Sequence, residues 1–149
     1  MIFTFLPPSG SPIAYPPYYP PLIQTIAGWL KEKELTMSDV PWAMAWYGQR
    51  QSVWLTLNCM PDVKDRSTHE DFITINDFQK PINILYLTPV TMDSRFLSQW
   101  VKSGERSWGS FILELLTSHK VPDYFPLSQT DPGWLPDQIM LADFPRWRK

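Results

Sequence analysis

The chain has 149 residues, 44% of them hydrophobic, with 13 basic against 15 acidic side chains and a formal net charge of -2. That length and apolar share suit one domain with a buried core, and the balanced charge gives no electrostatic case for nucleic acid, whose phosphates require a clustered basic surface, so no nucleic acid is expected as a partner. The single cysteine, Cys59, excludes an internal disulfide and has no neighbouring His/Asn pattern to make it a nucleophile.

No window approaches the ~18–20 apolar residues that span a bilayer. Met1 to Leu6 is apolar but too short for the core of an export signal and has no basic run before it. Sixteen prolines and eight tryptophans stand out against ordinary usage. Proline fixes φ and pushes its predecessor out of the helical region, so residues 1–20, with Tyr15-Pro16-Pro17-Tyr18-Tyr19-Pro20, read as a proline-rich lead-in to a single α/β domain over 21–149. The lead-in is a stiff spacer or strap, or a ligand for aromatic grooves.

Leu22, Ile23, Ile26, Ala27 and Leu30 follow helical spacing, predicting a helix from Pro21 to Glu34 with a charged last turn. Leu35 to Ser38 is a short strand that delivers Asp39 to its carboxyl end. Pro41 to Gly48 reads as a short helix: Asp39 or Ser38 caps it, Pro41 sits where its missing N–H is not needed, and Gly48 closes it in the left-handed conformation. Gln51 to Leu57 then alternates as a strand turning toward the core. Asn58 to Ser67 is a polar loop interrupted by Pro61, and Thr68 with Asp71 makes a weak capping box for a short helix with Phe72, Ile75 and Phe78 inward.

The near-continuous apolar run Pro81 to Thr88 is the clearest strand and is expected at the centre of the sheet. Thr91 or Asp93 caps a helix carrying Phe96, Leu97, Trp100 and Val101 and closed by Gly104. Another helix follows over Ser107 to His119, then loop with a short edge strand at Phe125–Ser128, and a last strand within Asp137–Phe144. The basic tail Arg146-Trp147-Arg148-Lys149 reads as a solvated terminus. The alternation of strands and helices predicts an α/β fold, a small three-layer sandwich whose mostly parallel sheet of about four strands is covered by helices.

No glycine-rich phosphate loop and no nucleophile elbow occurs, and Gly104 and Gly109 are wrongly spaced for nucleotide binding. His69 and His119 are isolated from each other and from Cys59, so neither a metal nor another cofactor is expected. What remains is Asp39, Trp42, Trp46, Tyr47 and Arg50. Ligands of open parallel sheets are met at the carboxyl ends of strands, where aromatic faces can stack on sugar rings and Asp and Arg can bond hydroxyls or phosphates. In the alternative, Trp42 and Trp46 form the buried face of the short helix, Asp39 caps it and Arg50 pairs with that carboxylate. No catalytic residue is assigned.

The run Ser38-Asp39-Val40-Pro41-Trp42-Ala43-Met44-Ala45-Trp46-Tyr47-Gly48-Gln49-Arg50-Gln51-Ser52-Val53-Trp54-Leu55 resembles a segment in the soluble C-terminal domain of bacterial polytopic membrane glycosyltransferases of the mannosyltransferase and aminoarabinose-transferase type. The likeness is strongest over residues 15–57. It implies an accessory domain on the extracytoplasmic face of the bacterial inner membrane, beside a membrane-embedded catalytic part that moves a sugar from a polyprenyl-phosphate donor. Sugar or lipid phosphate would be its ligand. The acidic catalytic residue of such enzymes has no counterpart here, so catalysis would belong to the membrane part. Met1–Leu6 would then be the exit from a preceding membrane helix. The other expectation, from the proline- and tyrosine-rich start and the tryptophans, is a free-standing protein–protein interaction module.

Overall fold

The computed structural model describes residues 18–55, 72, 75–92, 108–130 and 138–147. The elements are α1 (Pro20–Gly28), β1 (Leu35–Ser38), α2 (Pro41–Gly48), β2 (Gln51–Trp54), β3 (Ile82–Leu87), α3 (Pro89–Met92), α4 (Trp108–Ser118), β4 (Gln129–Thr130) and β5 (Ile139–Ala142). A further helical turn occupies 75–78. The expected lead-in up to residue 17, the Asn58–Ser67 loop with Cys59, His69 and the helix closed by Gly104 lie outside the described residues.

The five strands form one open sheet in the order β2-β1-β3-β5-β4. β1 pairs in parallel with both β2 and β3, while β5 runs antiparallel to β3 and to β4. The fold is α/β as expected, but the sheet is mixed and not mostly parallel. The reason is the return of the chain after α4: it reaches β5 by way of β4, and β5 inserts between β4 and β3. Hydrophobic periodicity marks β5 as a buried strand without carrying its direction.

β3 is central, and its alternate residues serve two cores. Leu85 and Leu87 join Leu35, Met37, Ile139 and Leu141 in a cluster with Phe72 and with Trp108, Phe111, Ile112 and Leu115 of α4. Ile84 and Tyr86 join Met140 and Ala142 on the opposite face, against Ile23, Ile26 and Leu30 and against Val40, Ala43 and Met44. Such a strand is covered on both faces, which is why its sequence reads as a near-continuous apolar run, interrupted at Asn83.

Several expectations shift locally. α1 stops at Gly28, because Lys31-Glu32-Lys33-Glu34 has no apolar face to bury and instead turns, with the Lys31 N–H donating to the Glu34 carboxylate at 2.7 Å. Phe78 is 83% exposed and not inward. The short strand after α4 is Gln129–Thr130, while Phe125 and Leu127, placed on it by the sequence, fill the α4-side core instead. β2 is an edge strand with an exposed Trp54, not a buried one.

The basic tail is not solvated at Arg146. Its guanidinium, side chain 2% exposed, reaches Glu34 at 2.7 Å and Asp143 at 2.6 Å and donates to the Trp29 carbonyl at 3.1 Å. Asp143 also accepts from Asn83 Nδ2 at 3.0 Å, and Asn83 Oδ1 accepts the Leu35 N–H at 3.2 Å. One polar chain therefore ties the C-terminal end to β3, β1 and the turn after α1. The Arg146 hydrogen bond holds the Glu34 carboxyl below its ordinary range. Burial pushes Asp143 up, but Arg146 and Asn83 outweigh it and leave that carboxyl low as well.

Candidate functional site

Asp39 follows β1 directly, and burial leaves it 8% exposed. Its carboxylate accepts the Thr88 N–H at 3.2 and 3.0 Å, Thr88 Oγ1 at 2.8 Å and Thr91 Oγ1 at 2.7 Å, with Ser38 Oγ at 3.4 Å. Thr88 directly follows β3 and Thr91 stands in α3, so Asp39 joins the carboxyl ends of two neighbouring parallel strands. Burial pushes its carboxyl above the ordinary value, and the Thr91 and Thr88 donors pull it back only in part. Both oxygens are occupied from within the chain.

Asp39 therefore does not cap α2. Val40 is the residue before the helix and makes no side-chain cap; its own N–H donates to Ser38 Oγ at 3.1 Å. Pro41 takes the first helical position as expected. At the other end the left-handed residue is Gln49, with φ 50° and ψ 44°, and not Gly48. Gly48 serves another need: a Cβ there would stand 2.9 Å from the Ala27 Cβ, so its missing side chain is what lets α2 cross α1 so closely.

Arg50 does not pair with Asp39. Its Nε donates to the Leu30 carbonyl at 3.2 Å and its Nη1 to the Gln49 carbonyl at 3.0 Å, pinning the turn after α1 to the end of α2.

No family model, curated protein or solved structure matches this chain. The residues of the turn must speak for themselves.

They divide into two groups. The buried face of α2 is Ala43, Met44 and Gly48. Trp42 and Trp46, which sequence spacing could place on that face, point outward at 53% and 80% exposure, and Tyr47 is 37% exposed. The reason is volume: with Gly48 against Ala27, the space between the two helices admits alanine and methionine but no indole. The Trp42 ring meets Trp54 of β2 edge-on at 6.1 Å, and Tyr47 meets Tyr18 at 6.0 Å. Trp46 lies one turn along the helix from Trp42, so α2 carries exposed rings on the side away from its buried face. Tyr19, before α1, is 64% exposed.

Sequence reasoning placed Trp42, Trp46 and Tyr47 but overlooked Trp54 and Tyr19 as exposed rings. Trp54 could have been found from its place at the end of an edge strand, where one face is open. Thr88 and Thr91, the partners of Asp39, were missed because they lie 49 and 52 residues away in the chain. Among the described residues no group of three or more His, Cys, Asp or Glu could hold a metal ion.

Proposed function

We propose that this chain is an accessory, non-catalytic domain of a membrane-bound glycosyltransferase that uses a polyprenyl-phosphate sugar donor. It would sit on the extracytoplasmic face of a bacterial inner membrane and help to position the acceptor or pack on the membrane-embedded catalytic part. The observation that carries this reading is the division of the turn at the end of β1. Asp39 is consumed internally as a tie between strands, while Trp42, Trp46 and Tyr47 are turned outward as a contact face. A surface of that kind is suited to holding a neighbour or a sugar ring, with Arg50 at its border toward a lipid phosphate.

In the same reading the domain is a small three-layer sandwich. It is supported by the two cores on opposite faces of the sheet, one under α1 and α2 and the other under α4.

The test is an antibody raised against this domain and used on fractionated native cells. A band larger than the 149-residue chain, retained in the membrane fraction, is expected. A 149-residue band confined to the soluble fraction overturns the proposal.

The exposed rings also favour a second reading, a free-standing protein–protein interaction module. In that case the same antibody recovers a stoichiometric protein partner from the soluble fraction.

A further inference from the structure

We infer that the Asp39 carboxyl is a proton-linked latch at the carboxyl ends of β1 and β3: protonated, it locks the end of β1 to the Thr88–Thr91 corner, and ionised, it lets that corner open to water. The latch belongs to the fold itself and stands whether or not the domain serves a transferase.

A contrast between the two ends of β1 carries it. Glu34 stands just before the strand and Asp39 just after it. Glu34 meets the Arg146 guanidinium at 2.7 Å. Asp39, 8% exposed, meets only neutral donors among the described residues: the Thr88 N–H at 3.0 Å, Thr88 Oγ1 at 2.8 Å, Thr91 Oγ1 at 2.7 Å and Ser38 Oγ at 3.4 Å. A buried carboxylate is ordinarily matched by a cation, and without one the neutral acid gains.

The surrounding elements supply no such cation. β1 (LTMS), α2 (PWAMAWYG), β2 (QSVW), β3 (INILYL), α3 (PVTM) and β5 (IMLA) carry no charged residue. Arg50 before β2, Lys80 before β3 and Arg146 after the antiparallel β5 all stand at the opposite end of the sheet. Arg50 is engaged there by the Leu30 and Gln49 carbonyls. Of the titratable groups on these elements, Tyr47 turns outward against Tyr18, while Tyr86 is buried, feels the Asp39 charge and donates its own proton to Gln138 Oε1 at 2.9 Å. Burial therefore outweighs the threonine donors and raises the Asp39 carboxyl above its ordinary value.

What the latch holds is a corner. Thr88 Oγ1 also accepts the Val90 N–H at 3.4 Å, and the Thr88 carbonyl accepts the Thr91 N–H at 3.1 Å. Hydroxyls both donate and accept, so Thr88 and Thr91 can serve the neutral acid by turning their protons. On ionisation the proton passes to water, and the anion is better solvated when the corner swings open. Because the folded value is the raised one, the latch is fully closed below the ordinary value of 3.8 and loosens as pH rises through the folded value. Glu34 and Asp143, at the other end of the sheet, run the opposite way, since theirs are lowered.

The experiment follows Asp39 Cγ of the full chain by carbon-13 NMR from acid to mild alkali. Amide hydrogen exchange gives the protection of the Thr88 N–H over the same range, corrected for the intrinsic pH dependence of exchange. Asp39 is expected to titrate above 3.8. Thr88 protection should fall with the same midpoint, about tenfold for each pH unit of the rise, because one unit is a factor of ten in the closing equilibrium. Asp39→Asn, whose amide cannot ionise, is expected to hold its protection throughout. Both readouts are taken on the wild type, so the outcome does not hang on the variant folding. An Asp39 that titrates at or below 3.8 overturns the inference. So does one that titrates higher while Thr88 protection stays constant, and so does a fall in Asp39→Asn with the same midpoint, which would assign the opening to another group.

Discussion

Gly48 and Ala27 are in contact at the crossing of α2 and α1, where a Cβ on Gly48 would stand 2.9 Å from the one on Ala27. Neither is the tip of a flexible side chain, so added volume can be accommodated only by moving a helix. Gly48→Ala is expected to destabilise by about 1–3 kcal/mol, the usual range for overpacking. Ala27→Gly in the same chain should return part of it. Urea unfolding of the two single variants and the double variant measures this; additive losses would show that the contact is not the cause.

The same contact explains a neighbouring strain. The chain uses its glycine for packing and leaves Gln49 to adopt the left-handed conformation at φ 50°. Gln49→Gly should therefore stabilise the fold by about 0.5–1 kcal/mol, relief of the Cβ conflict being offset in part by a more flexible unfolded chain. A lower urea midpoint would contradict it.

Asp39→Ala is expected to cost on the order of 2 kcal/mol, because the Thr88 N–H and both hydroxyls lose their acceptor, and Asp39→Asn less, because an amide oxygen in the place of Oδ2 can still accept from these donors. Arg50→Gln should add to Asp39→Asn within about 0.5 kcal/mol, since the two side chains share no partner. A coupling energy well beyond that in a double-mutant cycle would mean that the two are linked after all.

The turn was legible in outline. Strand β1, the helix opened by Pro41 and the central β3 follow from local pattern, and their bounds emerge within a residue or so of expectation. Legibility stops where a residue's role depends on a distant one. Asp39 looked like a cap because its nearest backbone N–H groups belong to α2, yet the donors it uses come from the end of β3. Trp42 and Trp46 have core-like spacing, and only the tight α1–α2 crossing, itself dependent on Gly48, turns them out. Arg146 looked like a terminal charge until the fold brought Glu34 beside it. The reversed direction of β5 is likewise a property of connections and not of its apolar residues.

Arg146 carries the polar knot that holds Glu34 and Asp143. Arg146→Ala is expected to cost on the order of 3 kcal/mol by leaving partly buried carboxylates unpaired. Arg146→Lys should recover little, because an ammonium cannot match the paired donors that serve both carboxylates and the Trp29 carbonyl. Thermal melts of the two variants compare these directly.

The knot also has a pH signature. Glu34 and Asp143 are held below their ordinary values of 4.5 and 3.8, so in acid the unfolded chain binds more protons than the folded one. The stability they contribute is present above those values and is lost as pH falls through the folded ones. Glu34→Gln should therefore be clearly less stable than the wild type at neutral pH and nearly equal to it in strong acid. A gap that stays constant across urea titrations at both pH values would remove Glu34 from the knot.

The position of β3 has a consequence for synthesis. One of its two neighbours precedes it in the chain and the other follows it, β1 at Leu35–Ser38 and β5 at Ile139–Ala142. As a nascent chain emerges N-terminus first, β3 can pair on the β1 side early, but its other edge stays uncovered until Ile139–Ala142 has been made. An apolar strand with one open row of N–H and C=O groups is a template for pairing with other chains. Chains ended by a premature stop after α4 are thus expected to aggregate through β3, and a separately supplied β4–β5 peptide covering residues 121–149 should suppress that aggregation by completing the sheet.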